Sequence, residues 1–161
     1  VAALLVEAPM ASGFGVRTLS TQSDGYWPLS YHGGSVWTHD TAIAVSGLAR
    51  DGHLEEADRL AHGLLAAAEG FDYRMPELHS GDARDAYPRP VPYPAACRPQ
   101  AWSAAASVSV LASALGLQPG DEGLAAAAGS RLAPITVDGV VYRGDQYRVT
   151  VDSAGARAER A

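Results

Sequence analysis

Lysine is absent from this 161-residue chain; all of its 12 basic residues are arginine. A phosphate-cradling loop that relies on lysine is therefore excluded. With 18 acidic residues the formal net charge is −6, which argues against a non-specific nucleic-acid binder, since that needs a basic face. Cysteine occurs once, at Cys97. A single cysteine forms no internal disulfide, so a stapled secreted framework is excluded, and the thiol reads as buried and unreactive. No apolar run approaches the ~18 residues of a membrane span. The opening VAALLVEAPM has no basic segment before its apolar stretch, so it reads as the tail of a helix rather than as a signal peptide. We expect the C-terminal part of a longer protein, and the unpaired cysteine with no visible export signal fits a cytoplasmic location.

What is plentiful is apolar surface and alanine. Hydrophobic residues make up 47% of the chain, enough for a packed core and against disorder. Residues 36–50 read as a helix stopped by Asp51-Gly52. Residues 53–69 form a second, with Leu54, Ala57, Leu60, Ala61, Leu64, Leu65 and Ala68 at the three-and-four spacing of one face. Pro99 opens a third over 100–116, ended by Gly116. Residues 124–128 suggest a short helical turn. Residues 137–151 alternate around Gly144-Asp145 and predict a β-hairpin. The last residues, VDSAGARAER A, read as a frayed terminus.

Two long segments, 12–35 and 70–98, are rich in Gly, Pro and aromatics and read as loops. One enters the first helix of a helical hairpin and the other leaves the second, so they belong at the same end. The opposite connection is only Asp51-Gly52, so function is expected at the end that carries the loops. Their tyrosines and tryptophans match the apolar faces of sugars, with Asp, Glu, His and Arg for the hydroxyls. The plain alternative is a set of anchors that pin the loops.

Glu77, after Pro76 and near Arg74 and His79, is the carboxylate best suited to take a proton from water; the alternative is a loop glutamate paired with Arg74. Asp40 either binds sugar hydroxyls or answers the helix dipole. His32, His39 and His79 lack the close spacing of zinc motifs, so no metal is expected. Ser12-Gly13-Phe14-Gly15 follows no strand and is no dinucleotide loop.

Taken together and in order, RTLSTQSDGYWPLSYHGGSVWTHD, MPELHSG and PVPYPAACRPQAWSAA resemble the C-terminal part of bacterial amylo-α-1,6-glucosidase (glycogen debranching enzyme-like) proteins, over about residues 9 to 118. These belong with the (α/α)6-barrel glycoside hydrolases. The resemblance implies a mostly α fold: a partial (α/α)6 toroid of helical hairpins with a small C-terminal β-hairpin. It implies residues 1–118 as the C-terminal part of the catalytic domain and 119–161 as an extension. It implies hydrolysis of α-glucosidic bonds, of glycogen or related α-glucans, by inversion and without a cofactor. Glu77 carries over as the general base. Tyr31, His32, Trp37, His39 and Asp40 match the substrate cleft, and Arg17, Tyr93, Gln100 and Trp102 join them as candidate sugar contacts. The general acid would lie on an earlier hairpin, in the missing N-terminal part of the same barrel. The chain alone is then expected to be inactive and to expose helix faces that should meet neighbours. The expected partner is an oligosaccharide or α-glucan, with no nucleic acid and no membrane. Trehalose and mannosylglycerate cleavage share this architecture, and a non-catalytic carbohydrate-binding or scaffold domain is the rival reading.

Overall fold

The computed structural model describes residues 1–127 and 134–161. A short helix, α1 (Ala2–Val6), precedes a long irregular segment that ends in the two-residue strand β1 (Val36–Trp37). The helices α2 (Thr38–Arg50) and α3 (Leu54–Gly70) follow as an antiparallel pair. A second irregular segment holds β2 (Leu78–His79) and leads into α4 (Ala101–Ala114). The remainder is extended: β3 (Leu117–Gly120), β4 (Gly123–Ala126), β5 (Ile135–Tyr142), β6 (Asp145–Asp152) and β7 (Gly155–Arg160).

The α2–α3 hairpin forms for the reasons its spacing gives. Val45 and Leu48 of α2 interlock with Ala57, Leu60, Ala61 and Leu64 of α3, and Ala106 and Val110 of α4 close the same core. Glu55 and Glu56 lie in the first turn of α3, where the helix dipole favours them. α4 starts at Gln100, whose Oε1 accepts from Ser103 N and Ser103 Oγ, both at 3.0 Å. It ends before Gly116, which takes φ +61, as a helix terminator does. α4 buries only Ser103, Ala106, Val110 and Ala114, so Trp102 and Val108 are left exposed.

Three expectations are corrected here. The mostly α, partial (α/α)6 toroid is overturned: among the described residues 32% are helical and 25% lie in strands, in four helices and three antiparallel sheets. After Ala114 the chain turns to strand. Pro119, Gly120 and Gly123 oppose helix, and the Val, Thr and Tyr residues that follow favour a pleated surface. The helical turn expected at 124–128 is strand β4, which pairs with β3 from Leu117↔Ala126 to Gly120↔Gly123; residue 128 lies outside the described residues. The expected frayed terminus is β7, paired with β6 from Asp152↔Gly155 to Tyr147↔Arg160.

The hairpin read at 137–151 is present as β5 and β6. Its turn sits one residue earlier than expected, at Arg143-Gly144, both at positive φ, the backbone a two-residue hairpin requires. These strands build a second core, in which Leu115 and Leu124 pack on Tyr147, Val149 and Val151. No helix among the described residues is long and apolar enough to cross a membrane.

Candidate functional site

The segments entering α2 and leaving α3 meet, as the hairpin argument requires. β1 and β2 pair antiparallel, Val36 with His79 and Trp37 with Leu78. Single bridges extend this ribbon on both sides, from Arg17 to Val36 and from His79 to Pro92. Two glycines permit the close approach. A Cβ on Gly81 would stand 1.8 Å from the Gly34 carbonyl oxygen, so only hydrogen fits there. The Gly81 carbonyl accepts from Arg17 Nε at 2.6 Å and from Tyr26 Oη at 3.1 Å.

Glu77 sits at the edge of this ribbon and is half-buried. Thr38 fixes its backbone: Thr38 N donates to the Glu77 carbonyl at 3.2 Å and Thr38 Oγ1 to the Pro76 carbonyl at 2.7 Å. Glu77 N donates to the Cys97 carbonyl at 3.0 Å, and Glu77 Oε2 accepts from Cys97 N at 3.3 Å. Arg74 forms no ion pair with it; the Tyr31 phenol stands near enough to feel its charge. Desolvation, then the neighbouring Glu77 carboxylate, push the Tyr31 phenol above its ordinary value, with Tyr93 and Cys97 adding to the effect.

From Tyr31 a chain of ring contacts runs across the surface. Its ring meets Trp37 edge-on at 4.5 Å between centroids, His32 at 4.6 Å and Tyr93 at 6.2 Å. His32 stacks on Trp37 at 5.2 Å, and His39 joins Trp37 at 5.4 Å to Trp102 at 4.5 Å. Trp37 is a buried anchor whose Nε1 donates to the Tyr31 carbonyl at 2.7 Å. Tyr31 and Trp102 are the open plates, 45% and 64% exposed. Asp40 is solvent-facing, with Oδ1 3.4 Å from His39 Nε2.

Seven of the aromatic and acidic candidates, together with Glu77, are therefore brought into one connected arrangement. Arg17 and Gln100 stand apart from it. Arg17 is buried and commits Nε and Nη1 to the carbonyls of Gly81 and Ala8, so it locks the loops together. The side chain of Gln100 caps α4. Cys97 is exposed rather than buried, because its backbone, not its thiol, is what the site uses. Among the described residues no group of three His, Cys, Asp or Glu side chains could hold a metal ion.

His79 contributes nothing to the surface. It is fully buried, with its ring between Phe14 at 6.1 Å and Phe71 at 5.9 Å. Nδ1 donates to the Ser80 carbonyl at 2.8 Å, and Nε2 has no partner. Burial lowers its pKa to about 4. Sequence reasoning missed this plug, and it missed the amide of Cys97 as the partner of Glu77. A hydrogen bond between residues 20 positions apart leaves no local spacing to detect.

No protein-family model matches the chain, and no curated protein matches it.

Proposed function

We propose that this surface binds an α-glucan or oligosaccharide and that Glu77 activates water for hydrolysis of an α-glucosidic bond with inversion. The observation that carries the reading is a half-buried carboxylate held by the Cys97 amide, with the Tyr31 phenol beside it, at the border of an aromatic surface. Exposed Tyr31 and Trp102 supply faces on which the apolar side of a sugar ring stacks. His32, Tyr93 and Asp40 supply polar edges at the same surface.

Glu77 takes a proton from water as the oxygen attacks the anomeric carbon. The opposite carboxyl group of such a pair protonates the leaving oxygen from ~6.5–9.5 Å away. In this reading that acid comes from a polypeptide segment outside this chain, and the mechanism calls for no cofactor. A cytoplasmic enzyme of α-glucan breakdown fits the absence of a disulfide.

One observation favours the non-catalytic rival. Asp40, the other carboxylate at the surface, is turned toward His39, which suits sugar binding without proton transfer. Glu77→Gln in the polypeptide that carries this chain together with its general acid separates the two. Hydrolysis of maltooligosaccharides should fall by about 10²–10⁴-fold, with binding unchanged within threefold. Near-normal turnover contradicts Glu77 as base, and wild-type binding without any turnover supports the rival.

A further inference from the structure

A cleft of about 550 Å³ opens beside the site, between the exit of α3 and the first two turns of α4. Its size lies within the usual range for small-ligand sites. Tyr73, Arg74 and Arg98 stand around it, with Gln100, Ser103 and Ser107 from one face of α4. Both charged side chains that line it are cationic, in a protein whose net charge is −6.

The two guanidinium groups differ in how they are held. Arg98 is oriented: Nη2 donates to the Phe71 carbonyl, and its Cζ lies 5.8 Å from the Phe71 ring centroid. Its one carboxylate neighbour is Asp72, 3.5 Å away and 93% exposed at its side chain, a pair that solvent screens strongly. Arg74 is exposed, and its side chain has no hydrogen bond or ion pair among the described residues. Asp72 and Tyr73 are both left-handed, at φ +52 and +58. Non-glycine residues adopt that backbone at a cost, and here it brings an exposed tyrosine and Arg74 to the mouth of the cleft.

The cleft is also joined to the carboxylate. Met75 and Pro99 line it, while Glu77 and Cys97 bond to each other two residues further along the same two segments.

We infer that this cleft receives an anionic substituent, a carboxylate or a phosphate, carried by a sugar bound beside Glu77, with Arg74 and Arg98 as its counter-charges. The position relative to the scissile bond rests on the hydrolase reading; the anion preference does not. Guanidinium groups recognise planar carboxylates and phosphates through paired N–H donors, and Tyr73 gives the attached ring a face.

The test is calorimetric titration of the chain with glucuronate, glucose 6-phosphate and glucose at low salt. One or both charged sugars should bind at least tenfold more tightly than glucose, and 0.3 M NaCl should erase most of that margin. A preference for glucuronate alone identifies the carboxylate, and one for glucose 6-phosphate alone the phosphate. Arg74→Ala should cut the preference about fivefold and Arg74→Glu should abolish it; this exposed, unpaired side chain supports no part of the core. Equal binding of the three sugars, or a preference indifferent to both Arg74 variants, overturns the inference. The hydrolase reading is judged separately, by turnover in Glu77→Gln.

Discussion

His79 illustrates how one buried side chain governs the site without touching ligand. Its neutral ring fills the space between Phe14 and Phe71 directly behind the β1–β2 pairing, and its Nε2 faces no acceptor. A proton there would be a buried, unpaired charge. The folded-state pKa of about 4 lies below the ordinary 6.5, so the unfolded chain binds the proton first as pH falls. Stability is therefore full above pH 6.5 and is lost progressively toward pH 4. By pH 5 the loss from this group is about 2 kcal/mol. Urea unfolding at pH 7 and pH 5 should show that decrease in the wild type and little of it in His79→Phe. An equal decrease in both proteins would assign the acid sensitivity to other groups. The sequence marks His79 as a neighbour of Glu77 and as one of three histidines weighed for a metal; its role depends on Phe14, 65 residues away, and no local pattern announces it.

At the level of elements, what local periodicity encodes is what could be read. α2, α3 and α4 lie within two residues of their sequence-derived limits because their faces repeat at helical spacing. The same argument brought the two loops to one end, and β1 and β2 pair there. β3 and β4 escaped notice because Leu117–Gly120 and Gly123–Ala126 carry little strand propensity. Packing of Leu124 under Tyr147, with Tyr147 Oη accepting from Leu124 N at 3.3 Å, decides their conformation. β7 was equally hidden, since a small, polar strand resembles a tail until its partner β6 is known. The glycine-rich look of the loops was legible, but not that Gly34 and Gly81 would touch. Gly81→Ala should force the two loops apart and destabilise the protein by about 1–3 kcal/mol, the usual cost of overpacking. It should also weaken sugar binding, because the Arg17 and Tyr26 bonds to the Gly81 carbonyl are disturbed together. Unchanged urea midpoint and unchanged binding would mean that this contact relaxes freely.

For the molecule as a whole, two separate cores divide the work. The helical core holds α2, α3 and α4 in register and so sets the end at which the loops converge. The β core gathers the last three strands and the β3–β4 hairpin around Tyr147, Val149 and Val151, and none of the candidate site residues belongs to it. The aromatic surface was readable as composition, eight tyrosines and tryptophans in and beside two loops. Its division into one buried anchor, Trp37, and open plates, Tyr31 and Trp102, follows only from the packing. The claim on which the account turns is that those open plates form a sugar-binding surface. Tryptophan fluorescence during a maltoheptaose titration tests it most directly, since the chain has three tryptophans and Trp27, exposed, takes no part in the ring contacts. The account predicts a saturable change that survives Trp27→Phe and disappears in Trp102→Ala. A wild-type signal that stays flat, or a change that Trp102→Ala leaves intact, would contradict it.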